Sequence, residues 1–367
     1  MKYDEIGSEY FFDGNIGDEE TSFYQAIDYF AESSINELNS SLSGSGRTAL
    51  EMAIRSIKSN FGDKNTVLLP GFICESVIDV FAENGFLCSF YDVNLANGIV
   101  KHQRFIELLN KTEIILILDY FGFQSNNFND FINKIIEVNN IIVINDITQS
   151  IFSRFPKQKA DYYVASLRKW FQLPSGGLLV SRHSVEPTIL QNSLFSKKRE
   201  LAMVSKTQYL LNGTGDKTDF LQLFSHAEQL LEEESHGYLG IDDESKYILN
   251  HYCYSSLYKK RRSNYKTLLQ EIKNSKSFRI DFDSLDENIC PFFFVVRTNR
   301  RDELRDYLVN NHVYTPIHWP KPFEVRERNS LDSSNGLYED LLSIPCDQRY
   351  DYVDMLCIAN LLNNWGE

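Results

Sequence analysis

Short runs of Val, Ile, Leu, Phe and Tyr recur along the chain at Thr66 to Leu69, Phe86 to Val93, Ile114 to Leu118, Ile141 to Ile144, Tyr162 to Ala165 and Leu178 to Val180. Helix-length stretches separate many of them. Unbroken apolar character, rather than in/out alternation, marks strands buried on both faces, and helical crossovers between such strands imply a mostly parallel sheet. The pattern therefore predicts an α/β domain. TALEMAIRSIKSNF adds a helix, because Leu50, Ile54, Ile57 and Phe61 fall at i, i+4, i+7 and i+11 on one apolar stripe. All four are expected in the core.

Beyond about residue 185 the chain turns to charged helical sequence, running through KKRRSNYKTLLQEI as a linking helix, with no strand until Phe278 or Phe292. CPFFFVVRT, DELRDYLVNN and DYVDMLCIANLLNNW then read as strand, helix and helix, enough for a smaller C-terminal α+β domain. The division expected is an N-terminal arm over 1–35, a large domain over 36–245 and a small domain over 246–367. Lys259, Lys260, Arg261 and Arg262 read as the solvated face of the linking helix, with attraction of a diphosphate as a second reading. Tyr3, Tyr10, Phe11, Phe12, Phe23, Tyr24, Tyr29 and Phe30 crowd the arm. That density calls for a partner surface; otherwise the arm folds back on its own chain.

Composition narrows the function classes. With 367 residues, 43% hydrophobic and 24% charged, the chain is ordinary globular protein. A formal net charge of −14 repels nucleic acid and anionic membrane surfaces. No run approaches the ~20 apolar residues of a membrane span, and the acidic MKYDEIGSEYFFDGNIGDEE has no signal-peptide core; a cytoplasmic location is expected. Six cysteines form no CxxC pair, so neither a zinc site nor a disulfide framework is expected, and most read as buried thiols. The histidines show no H-x-x-x-H spacing, so no metal site is expected.

Chemistry concentrates in three segments. SLSGSGRTAL precedes the Leu50 helix, and its Gly and Ser residues leave backbone N–H groups free at a helix start, a phosphate cradle that also satisfies G-x-G-x-x-A. A dinucleotide turn should leave a buried first strand, but the preceding SSINELNS is polar. In INDITQS, Asp146 ends a buried run at the strand terminus where ligands of α/β sheets bind, and Gln149 lies three residues on; a plain helix cap reads the same way alone. In DYYVASLRKWFQLPSGGLLV, Ser166 and Lys169 share a turn between two apolar strands, beside Trp170 and Phe171. Desolvation there would lower the lysine's pKa and suit it to Schiff-base chemistry; a structural or anion-binding lysine is the other reading.

Taken in order, SGRTAL, VLLPGFICES, NDITQS and SLRKWFQLPSGG resemble the DegT/DnrJ/StrS-type sugar aminotransferases, within the fold-type-I pyridoxal-phosphate enzymes. The likeness continues through FYDVN, ILDYFG, YTPIHWP and LSIPCDQRY, covering nearly all of the chain from residue 40. The resemblance implies an aspartate-aminotransferase-like fold and pyridoxal 5'-phosphate as cofactor. By position it implies that Lys169 holds the cofactor and moves the proton. Asp146 would pair with the pyridine nitrogen and keep the ring an electron sink. Gln149 would bond the ring hydroxyl, Phe72 stack on the ring, and Ser45, Gly46, Arg47, Thr48 and Ser166 hold the phosphate. His318 and Trp319 would face the substrate.

The resemblance further implies transfer of an amino group from an amino-acid donor, glutamate in the family, to a keto acceptor such as a nucleotide-linked keto-sugar, in a homodimer with active sites at the interface. Departures are visible: Arg47 replaces a small hydroxyl residue, Cys74 an aromatic, and Arg168 is an added cation. Two alternatives follow. One is sugar dehydration on the same scaffold, against which Lys169 speaks because the family's dehydratases carry histidine there. The other is a non-catalytic ligand-binding or regulatory relative.

Overall fold

The computed structural model describes residues 3–14, 16–17, 22–26, 39–96, 98–125, 128–188, 193–234, 239–273, 276–326 and 330–366. In chain order the strands are β1 (Ile6–Gly7), β2 (Asn39–Ser43), β3 (Thr66–Pro70), β4 (Leu87–Tyr91), β5 (Val93–Asn94), β6 (Gly98–Ile99), β7 (Ile114–Leu118), β8 (Ile142–Asp146), β9 (Tyr162–Ser166), β10 (Gly177–Ser181), β11 (Arg279–Ile280), β12 (Phe294–Arg297), β13 (Val313–Tyr314) and β14 (Leu341–Ile344). All six apolar runs appear among them.

β2-β10-β9-β8-β7-β3-β4 form one seven-stranded sheet. β4, β3, β7, β8 and β9 run parallel, and β10 alone runs against its neighbours. The unbroken apolar runs explain this, since Ile114 to Leu118 are all buried and a strand covered on both faces needs no alternation. The segment SSINELNS lies mostly outside the described residues. Its last two residues open β2, an edge strand with Asn39 and Ser40 exposed, not the buried parallel strand a dinucleotide turn would leave.

Helices α1 (Gly46–Phe61), α2 (Glu75–Glu83), α3 (His102–Leu109) and α4 (Asp130–Val138) link the parallel strands. Leu50, Ile54 and Ile57 are buried as expected, but Phe61 is 38% exposed. It is the last residue of α1, and its ring meets His183 edge-on rather than the core.

The charged region beyond residue 185 contains two long helices, α5 (Leu194–Asn212) and α6 (Lys217–Glu234), which pack extensively on each other. α7 (Asp243–Asn250) and α8 (Tyr254–Glu271) follow. A three-stranded antiparallel sheet, β11-β12-β14, then stands with α9 (Arg301–Asn310), α10 (Phe323–Arg326), α11 (Asp332–Asp340) and α12 (Tyr352–Asn364), the last packed on α8. Arg261 on α8 is not on a solvated face: it is 1% exposed, stacks 4.3 Å from the Trp170 ring, and donates to Gln348, Pro291, Phe292 and Tyr10.

The arm also departs from expectation. β1 pairs in parallel with β13, and Tyr3, Tyr10, Phe11 and Phe23 are buried within their own chain. Lys206 donates to the Glu9 carbonyl at 2.8 Å, and Arg349 donates to the carbonyls of Ser8 and Glu9. The aromatics serve this docking, although Tyr24 remains 39% exposed. Tyr29 and Phe30 lie outside the described residues. Among the cysteines only Cys290 and Cys346 are buried; Cys253 is exposed and the other three intermediate. No helix among the described residues is long and apolar enough to cross a membrane.

Candidate active site

The parallel strands place their C-terminal ends along one edge of the sheet, with Leu118, Asp146 and Val164 in register across β7, β8 and β9. A cavity of about 320 Å³ opens there, lined by residues from α1, β8, β9, the turn after β9 and the segment after β13. Gly46 and Arg47 line it from the start of α1. A Cβ on Gly46 would stand 2.9 Å from the Cβ of Ser166, so glycine is what lets the helix start close on the end of β9.

Ser45 and Thr48 do not face the cavity. Both are almost fully buried; Ser45 caps α1 by accepting from the Thr48 N–H at 3.1 Å, and the two hydroxyls pair at 3.0 Å. Their side chains build the loop and leave the helix's first N–H groups as its donors. Ser166, at the end of β9, is 8% exposed and lines the cavity. Its N–H donates to the Thr148 hydroxyl at 3.0 Å, while its own hydroxyl has no partner among the described residues.

Asp146 lines the same cavity and accepts from the Thr148 N–H at 2.9 Å, an Asx turn rather than a helix cap. Burial pushes its carboxyl up, and the Thr148 bonds together with the Lys169 charge pull it back. Gln149 is 1% exposed and accepts from the Phe121 N–H at 2.6 Å, which leaves its amide nitrogen as the group with a bond to give.

Lys169 ends a single 3₁₀ turn, Leu167–Lys169, between fully buried Leu167 and Trp170. Those buried neighbours anchor the turn and aim the lysine, but its own side chain is exposed rather than sealed between strands. Lys169 faces two cavities: the one at the strand ends and a larger one of about 460 Å³ toward the arm and the small sheet.

His318 also lines both cavities, and its Nδ1 lies 2.8 Å from the Ser343 hydroxyl. Burial, with the Lys169 charge, pulls its pKa down to about 3, so the ring is neutral at ordinary pH. Trp319 lines only the smaller cavity. Phe72, expected to stack there, is fully buried against Tyr120, Trp319 and Tyr338 at 4.9–5.5 Å. That aromatic cluster claims its ring, and Ile73 and Cys74 line the cavity instead.

Sequence reasoning missed Glu228 and Arg199. Glu228 lines both cavities from α6 and bonds Arg168 and Arg199; α5 and α6 read only as charged helices, with nothing to single out one glutamate. Among the described residues no group of three or more His, Cys, Asp or Glu side chains is placed to hold a metal ion.

No family model and no curated protein sequence matches the chain. Solved structures do. DesV of S. venezuelae, solved in complex with a ketimine intermediate, aligns at TM-score 0.62 and 16% identity over 99% of this chain and 90% of its own. PseC of Helicobacter pylori, an aminotransferase of pseudoaminic acid biosynthesis, gives 0.64 and 13% over 97% and 98%. The PLP form of Spr1654, a sugar aminotransferase by its description from Streptococcus pneumoniae, gives 0.64 and 11% over 95% and 92%. With its mostly parallel seven-stranded sheet and these matches along almost its whole length, the chain has the α/β fold of the fold-type-I aminotransferases.

Proposed function

We propose that this chain is a pyridoxal-phosphate-dependent aminotransferase of the DegT/DnrJ/StrS type, carrying an amino group from an amino-acid donor, glutamate, to a keto acceptor, a nucleotide-linked keto-sugar. The observation that carries the reading is convergence: Gly46 and Arg47 at a helix start, Asp146 at a strand end and Lys169 on a turn, far apart in the chain, line one cavity. The residues fit the cofactor. Gly46 lets the helix start close on Ser166 beside the cavity, the Ser166 residue lines it, and the half-buried Asp146 carboxylate stands at the strand end.

Bound there, pyridoxal phosphate supplies an electron-accepting ring that lets a proton leave the carbon bearing the amine. Gly46 and Arg47 with Ser166 would hold the phosphate through N–H, guanidinium and hydroxyl bonds. The Asp146 carboxylate would keep the ring nitrogen protonated, and the Gln149 amide would donate to the ring hydroxyl. Lys169 would anchor the cofactor and carry the proton at its Nζ between the two carbons of the exchange. The larger cavity, which shares Lys169 and His318, is the seat for the donor and then the acceptor. His318 acts there as a neutral hydrogen-bonding group and Trp319 as an apolar wall.

The reading includes a homodimer, with the division near residue 245 separating large and small domains. Leu194, Leu201, Val204 and Leu211 support the dimer, since they are 62%, 56%, 39% and 49% exposed along one face of α5, the helix that also sends Arg199 to the cavity. The test of function is direct. Protein mixed with pyridoxal phosphate should turn yellow, the band should bleach with borohydride, and glutamate should support amination of a nucleotide-linked keto-sugar; Lys169→Ala should lose both colour and turnover. A colourless wild type would leave a non-catalytic binding protein on this fold.

A further inference from the structure

Arg47 and Arg168, the two cations that depart from the family pattern, meet on one carboxylate. The Glu228 side chain accepts from Arg168 at 2.8 Å and from Arg199 at 3.2 Å, and its second oxygen lies 3.8 Å from Arg47. Glu228 lines both cavities, as Ser166 and Arg168 do. A carboxylate whose side chain is 39% exposed thus meets three guanidinium groups beside the helix start, in a cavity that Ser166, a residue only 8% exposed, also lines.

We propose that Glu228 is an internal occupant of an anion subsite made by Arg47, Arg168 and Ser166, and that a phosphate monoester bound in the smaller cavity exchanges with it. The proposal rests on the reading that the cofactor's phosphate seats at Gly46 and Ser166. Burial raises the Glu228 carboxyl, but Arg168, Arg199 and Arg47 hold it at about 2, so it carries full charge at any working pH. Three arginines facing Glu228 and Glu9 leave one net positive charge in the cluster. A phosphate monoester brings about −1.5 to −2. Its arrival beside a fixed carboxylate is repulsive unless the carboxylate gives up its hold on Arg168 and Arg47.

The sign distinguishes exchange from simple support. If Glu228 only splints the arginines, removing its charge loosens them and weakens phosphate binding. If it competes, removal strengthens binding. Wild type, Glu228→Gln, Glu228→Ala, Glu228→Asp and Arg47→Gln would be titrated with pyridoxal phosphate and with pyridoxal by visible absorbance, and with inorganic phosphate by calorimetry. Glu228→Gln and Glu228→Ala should bind both phosphate probes roughly tenfold tighter, with pyridoxal unchanged. Glu228→Asp, which keeps the charge, should stay near wild type, and Arg47→Gln should bind both phosphate probes more weakly. Unchanged or weaker phosphate binding in the two neutral variants, an equal gain for pyridoxal, or no phosphate binding to any form overturns the proposal. Absence of a Lys169-dependent band while inorganic phosphate still binds tighter to Glu228→Gln would sink the cofactor reading and leave the exchange standing.

Discussion

Lys169 is exposed on a turn whose neighbours Leu167 and Trp170 are fully buried, so its position is set by packing that its own side chain does not share. Lys169→Ala should therefore unfold with a stability within about 0.5 kcal/mol of wild type while losing the visible band; a large drop in melting temperature would mean that the lysine is structural. Asp146 differs in kind. It is half-buried, and its turn to Thr148 survives a change to Asn, which keeps an acceptor and loses the charge. Asp146→Ala and Asp146→Asn should both retain cofactor and slow transamination by about a hundredfold or more, because the ring nitrogen loses the charge that keeps it protonated. Near-normal turnover in Asp146→Asn would reduce this carboxylate to a turn former.

At the scale of elements, the α5–α6 pair is joined to the body by ionic contacts: Glu228 on α6 meets Arg168 of the central turn, and Arg199 on α5 meets Glu9 of the arm. The folded pKa of Glu228, about 2, lies below its ordinary 4.5, so this attachment contributes fully above about pH 4.5 and is lost as pH falls through about 2. Thermal melts of wild type and Glu228→Gln between pH 2 and 7 should show wild type the more stable at neutral pH, with the gap closing toward pH 2. A gap that is constant with pH would show that Glu228 acts through packing alone. The same contacts join the arm and the α5–α6 pair to the turn bearing Lys169, so the wall of the larger cavity is assembled from three distant segments.

For the whole molecule, the proposed homodimer rests on the exposed apolar face of α5. Light scattering should give about twice the 42.6 kDa chain mass, and Leu201→Glu with Leu211→Glu should shift the protein toward monomer without lowering its helix content. A wild-type monomer that binds pyridoxal phosphate at micromolar concentration would remove the homodimer from the proposed function. The arm's aromatics no longer bear on this question, because Tyr3, Tyr10, Phe11 and Phe23 are spent on packing within the chain.

The sequence by itself determined six of the seven strands of the large sheet, all but the edge strand β2, the α1 stripe at Leu50, Ile54 and Ile57, and the candidacy of Gly46, Asp146 and Lys169, because period, apolar character and strand-end position are local properties of the chain. The tertiary structure alone decided which side chains face the cavity. Phe72 and Cys74 are two residues apart after β3, yet one ring joins Tyr120 and Tyr338 while the other side chain lines the site. Ser45 and Gly46 are adjacent, and one caps the helix while the other admits Ser166. Arg261 looked solvated in KKRR and is buried under Trp170. Glu228 had no local mark at all, since its meaning comes from Arg47, Arg168 and Arg199, which approach it from three separate elements. Electrostatic and packing partners that lie 29 to 181 residues away leave no periodic trace in the chain, so only the folded arrangement could reveal them.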